Sequence, residues 1–196
     1  MTFASLRRFA ILLPLSVALM GATGCAAETE DGDMGDDEDV GTNSEALSSS
    51  CSKSRSQILS SVSGTRRKMI ERAFTWWDAQ VPYSQSRWYK GYRTDCSGFI
   101  SMCWETGTSY TTADFIAGGG ESDRLSSYDQ LAPGDALVRR ANGAGHIVMF
   151  LGWNDSARSS ACVIEQASTA LDMEFRTRST SSLKASGYRA IRSERL

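Results

Sequence analysis

Thr94-Asp95-Cys96-Ser97-Gly98-Phe99-Ile100 is followed by Cys103 and Trp104, so apolar side chains recur at intervals of three and four behind Cys96, with Gly107 as a natural stop. The spacing predicts a helix that holds Cys96 in its first turn and is capped by Thr94 or Asp95. That position matters chemically. Unpaired amides and the helix dipole at an N-terminus favour a thiolate, and a cysteine in mid-helix gets no such help. Fifty positions later Gly145-His146-Ile147-Val148-Met149-Phe150 opens an apolar strand with the only histidine of the 196 residues. A thiol and an imidazole are the pair that thiolate catalysis needs.

Outward from these two segments the pattern divides in half. Before Cys96, Met69, Ile70, Ala73, Phe74 and Trp77 form an apolar stripe at helical spacing over residues 65–79, with Thr65 as its expected cap and Pro82 as its stop; a loop rich in Tyr and Trp, residues 83–92, follows. After the Gly118-Gly119-Gly120 loop the signals are those of strands: residues 136–138, the Asn142-Gly143 turn, 146–151, 162–167, 173–177 and 188–192. Helices first and strands afterwards imply an α+β fold, N-terminal helices packed on a mainly antiparallel sheet.

The front end is of another kind. Arg7-Arg8, an apolar run over residues 9–22 containing Pro14, and small residues up to Gly24-Cys25 have the form of a secretory signal and are too short for a comfortable membrane span. Residues 1–25 are read as that signal. Ala22-Thr23-Gly24-Cys25 resembles a lipoprotein box, with Cys25 as the lipidation site and plain cleavage as the alternative. The protein is expected to be exported, as an outer-membrane or cell-surface lipoprotein or in secreted or periplasmic form. Residues 26–50 carry nine acidic side chains and no basic ones, too polar to offset their ordering entropy, and read as a disordered tether. The net charge of −2 hides a contrast: without Arg7, Arg8 and the tether acids, residues 51–196 keep 19 basic and 14 acidic side chains. A modest, unclustered positive balance suits an anionic wall polymer and does not make a nucleic-acid protein. Residues 51–196 suffice for one domain with one core, expected to be a monomer.

Taken together, Asp95-Cys96-Ser97-Gly98-Phe99 at a helix start, Pro133-Gly134-Asp135 before a strand, and Gly145-His146-Ile147-Val148 opening the next resemble the NlpC-type bacterial cell-wall cysteine peptidases, a papain-like family. The match covers roughly residues 65–167. It implies a papain-like fold and a hydrolase, a cysteine peptidase or amidase acting on amide bonds of peptidoglycan stem peptides, such as D-γ-glutamyl to diaminopimelate, without a cofactor. Cys96 would be the nucleophile, His146 the base and then acid, and Glu165 the group that orients the imidazole. Gln166 is the alternative, because strand side chains alternate and only one of the two can face His146. The same resemblance gives Tyr83 a part near the oxyanion, and Asp95 and Ser97 contacts to a free amine of the substrate.

Plainer explanations compete with each assignment. Cys96 could be half of a disulfide, the common fate of cysteine in a small exported protein; His146 could be a satisfied core histidine; Glu165 could simply pair with an arginine. The tryptophans fit packing, and Pro133-Gly134-Asp135 fits turn chemistry. Spacing excludes a metal site: Cys96 and Cys103 are seven apart with a single histidine in the chain. Of Cys51, Cys103 and Cys162, a bridge between Cys51 and one of the others would pin the domain's N-terminus. Alternatives on the same scaffold are a CHAP-like amidase, an acyltransferase, a secreted effector, or a wall-binding lipoprotein without turnover.

Overall fold

A computed structural model describes residues 51–196; the signal, Cys25 and the acidic tether fall outside the described residues. The fold is α+β. Two helices, α1 (Arg55–Ser60) and α2 (Gly64–Asp78), precede a small hairpin of β1 (Ser84–Tyr89) and β2 (Tyr92–Thr94); α3 (Cys96–Trp104) and α4 (Thr112–Ile116) follow. The remainder is β3 (Ser122–Arg124), β4 (Ala136–Ala141), β5 (Ala144–Trp153), β6 (Ser160–Ser168), β7 (Asp172–Ser179), α5 (Thr180–Ala185) and β8 (Arg189–Ser193). The last six strands form one sheet in the order β3-β8-β4-β5-β6-β7, antiparallel throughout.

Alternation along the inner strands divides the interior. Ile147, Met149 and Leu151 of β5 and Cys162 and Ile164 of β6 pack with Ile70, Phe74, Trp76, Phe99 and Trp104 of the helices. Val148, Phe150, Ala161 and Val163 face the other way, onto a smaller core with Leu137, Leu183 and Tyr188. The Asn142-Gly143 connection has positive φ at both residues, 52° and 90°, as a tight two-residue hairpin requires.

Several local expectations shift. Helix α2 has Ser63, not Thr65, at its N-cap position, without a side-chain cap hydrogen bond, and its buried indole is Trp76, with no solvent exposure, while Trp77 is 36% exposed. One helical position decides this, because Trp76 Nε1 reaches a buried partner on β6 while Trp77 turns to the outer side of the helix. The residue 83–92 segment is a hairpin with a tight turn at Lys90-Gly91, not a loop. Helix α3 ends before Gly107, at Glu105, which takes the left-handed conformation at φ 53°. Cys51 and Cys162 form a disulfide, and Cys96 and Cys103 are buried.

Asp135 turns out to be more than a turn residue. Fully buried, it accepts from Arg66 Nη1 (2.9 Å), Arg192 Nη2 (2.7 Å) and the amide of Ala132 (2.9 Å), tying α2 to β8 beneath the positive-φ Gly134.

Candidate active site

Asp95 caps α3: its Oδ1 accepts from the Gly98 amide at 2.6 Å and from Ser97 Oγ at 3.2 Å. Its Oδ2 accepts from Arg93 Nε at 2.7 Å, and the rest of that guanidinium is held by the carbonyls of Ser109 (2.9 Å) and Tyr110 (2.7 Å). One arginine thus fastens both the helix start and the loop opposite. Gly98 is needed for steric reasons, since a Cβ there would overlap the Arg93 carbonyl where the chain leaving β2 crosses the first turn of α3. The Cys-Ser-Gly sequence is therefore local architecture as well as chemistry.

Cys96 is the first residue of α3 and 2% exposed. It lines a cleft of about 290 Å³ together with Tyr83, Asp95, Ser97, Arg140 and Gly145. The first amides of any helix have no partner within it; in α3 that of Gly98 is taken up by Asp95 Oδ1, and Cys96 and Ser97 precede it. Tyr83 is buried, its amide donating to Asp172 Oδ1 at 2.7 Å.

His146 follows Gly145 on β5 and is 5% exposed. Its Nε2 lies 2.6 Å from Glu165 Oε2 on β6, and its Nδ1 is buried with no hydrogen-bond partner among the described residues. An imidazole held at Nε2 by a carboxylate presents Nδ1 as the nitrogen left to exchange a proton. Glu165 is fully buried. Arg176 Nε donates to its Oε1 at 2.9 Å, and Arg178 Nη1 lies 3.6 Å from Oε2 while donating to the Tyr188 hydroxyl at 3.1 Å. Burial alone would raise the Glu165 carboxyl; Arg178, the His146 hydrogen bond and Arg176 overcome it and hold the group well below the usual carboxylate range. Arg139, paired across strands with His146, and Arg178 both stack on Tyr188, 5.4 and 5.6 Å from the ring centre.

Gln166, the other residue weighed for His146, lies on the opposite face of the sheet. Its Oε1 accepts from Trp76 Nε1 at 2.9 Å and its Nε2 donates to the Val81 carbonyl at 3.1 Å. The structure therefore joins His146 with Glu165 and gathers Cys96, Asp95, Ser97, Tyr83 and the residue before His146 around one cleft, with α3 packed on β5 and β6. Cys103 is fully buried, and desolvation pushes its thiol far above the ordinary value, which suits packing rather than attack.

Three arginines escaped the sequence reading: Arg93, Arg176 and Arg178. The last two were within reach, because Arg176-Thr177-Arg178 on a strand puts both guanidiniums on one face. What was missing was the register of β7 against β6, which pairs Val163 with Arg176 and so gives it the parity of Glu165.

Among the described residues no cluster of His, Cys, Asp and Glu could hold a metal ion, and no helix is long and apolar enough to cross a membrane. A search against protein-family models matches none, and no curated protein matches the chain.

Proposed function

We propose that the protein is a cysteine peptidase or amidase of the NlpC type, hydrolysing amide bonds in the peptide stems of peptidoglycan. The supporting observation is a thiol at a helix start and an imidazole fixed at Nε2 by a buried carboxylate, its Nδ1 without a partner among the described residues, the two groups on elements that meet at one cleft.

The chemistry follows from these groups. The Cys96 thiol loses its proton to His146 Nδ1, and the thiolate adds to the substrate carbonyl. Amides at the start of α3 receive the developing oxyanion. The imidazolium, steadied by Glu165, returns the proton to the departing amine and leaves a thioester. Water, deprotonated by His146, then hydrolyses the thioester and frees the thiol. Glu165 remains ionised throughout, because its arginines stabilise the charge.

Incubation with purified peptidoglycan and identification of the products by mass tests the proposal. Stem-peptide fragments with a newly exposed amine and carboxyl, absent with Cys96→Ala, are expected. Release of intact stems from the glycan would instead indicate a CHAP-like amidase, and no product with reduced, folded protein would sink the hydrolase reading.

A further inference from the structure

A second hollow, of about 240 Å³, lies at the C-terminal end of α4 and is lined by Phe115, Ile116, Val138, Ile191, Arg124 and Arg189. It shares no lining residue with the cleft beside Cys96. The sheet explains its make-up. Arg124 of β3 pairs with Ile191 of β8, and Arg189, two residues back along β8, pairs with Val138 of β4. Cross-strand partners and residues two apart share a face, so these four side chains stand together on the face that carries the helices. There Val138 and Ile191 are buried in the main core with Phe115. Helix α4 packs on β4 and β5, ends at Ile116, and the chain turns off through Gly118 at φ 82°. The hollow lies where this helix stops and strands β8 and β3 continue.

Its charge is one-sided. In the diagonal register that relates them, Arg124 and Arg189 have α-carbons roughly 7–8 Å apart, which brings both guanidiniums within reach of one anion. Among the described residues neither side chain has a hydrogen-bond or ion-pair partner, whereas Arg66, Arg93, Arg158, Arg192 and Arg195 each meet a carboxylate. Asp123, next along β3, pairs with Arg192 and by alternation belongs to the opposite face. Two like charges thus stand side by side over an apolar floor. Exposed guanidiniums alone would hold an anion weakly, and the floor beneath them adds selectivity for one with a hydrocarbon part. A volume below the roughly 300 Å³ of common ligand pockets suits a small molecule and not a polymer.

We propose that this hollow binds a small amphiphilic anion, a carboxylate or phosphate on a short hydrocarbon body. Arg124 and Arg189 fork onto the oxyanion, and Phe115, Val138 and Ile191 take the hydrocarbon. The site stands independently of the hydrolase reading.

The test compares probes that differ only in the headgroup or the tail. Octanoate, octyl phosphate, octanol, octylammonium and acetate, each below its aggregation limit, are titrated into the full chain, with binding followed by calorimetry and by the methyl resonances of Val138 and Ile191. Octanoate or octyl phosphate should saturate one site, and the tighter of the two names the headgroup. Octanol and acetate should bind at least about tenfold more weakly, and octylammonium should not bind. Arg124→Gln and Arg189→Gln should each weaken the anion about fivefold and leave octanol unchanged. Both arginines are exposed, so the variants should keep the native melting curve. Equal affinity for octanol and both anions, or equal anion affinity in the native protein and the double variant, would overturn the proposal. So would anion binding that leaves the Val138 and Ile191 methyls unmoved. Alkylation of Cys96, measured in the same variants, should keep its native rate, so that loss of the anion site and loss of the reactive thiol are read separately.

Discussion

Replacing Glu165 with glutamine keeps the size of a fully buried side chain and removes its charge. Arg176 and Arg178, whose side chains are 16% and 14% exposed, then lose the carboxylate that compensates them. Removing one partner of a buried ion pair costs about 3–5 kcal/mol, and the partial exposure of the arginines puts the expectation at the lower end, about 3 kcal/mol. For a domain of this size that lowers Tm by about 10 °C. The effect on chemistry is larger. The amide oxygen satisfies the arginines, so the NH2 turns to His146 Nε2 and makes it an acceptor, and the ring proton moves to Nδ1. That tautomer cannot take a proton from Cys96, and kcat/KM should fall by a factor on the order of 10³–10⁴. The native carboxyl titrates below its unfolded value, so its contribution to stability is complete above the ordinary carboxylate pKa of about 4.3 and is lost as pH falls toward the folded value. Glu165→Gln should therefore flatten the acid side of a stability–pH curve. The assays are the pH dependence of Cys96 alkylation and thermal melts at several pH values. A variant whose alkylation profile and melts overlay the native ones would refute the reasoning.

Gln166→Leu leaves Trp76 Nε1 and the Val81 carbonyl buried without partners and should cost about 2–4 kcal/mol in a denaturant melt, yet keep the native pH profile of Cys96 alkylation. A shifted profile would mean that Gln166, not only Glu165, acts on the imidazole. Asp135→Asn should destabilise by about 3 kcal/mol by weakening the joint between α2 and β8, with little change in thiol reactivity; a neutral result would show that Arg66 and Arg192 are readily solvated. Replacing both Cys51 and Cys162 with serine should cost about 2–4 kcal/mol, and a reductant should lower the melting temperature of the native protein but not that of the variant.

The elements legible in the sequence are those with a period. The stripe behind Cys96 and the apolar runs around His146 and Ile164 announce a helix and two inner strands, because burial against a core writes itself into spacing. Strand β3, with three residues, and β1, with mostly exposed ones, have no buried face to leave such a record. Trp76 and Trp77 show the same limit at one position: both fit an apolar helix, and only the polar partner on β6 determines which goes in. At the candidate site, alternation says that Glu165 and Gln166 face opposite ways, but which of them shares a face with His146 depends on the register between β5 and β6. The arginines around Glu165 and the lock of Arg93 on Asp95 join segments whose pairing no local pattern records.

Cys51 stands ahead of α1, and its sulfur is bonded to Cys162 near the start of β6, three residues from Glu165. A pull applied to the chain before Cys51 is thus carried by a covalent bond into a strand hydrogen-bonded on both sides, and helices α1 and α2 are left unloaded. Were the protein tethered by that end, drag on the body would meet the resistance of a whole sheet to shear, and the first helices would not peel away turn by turn.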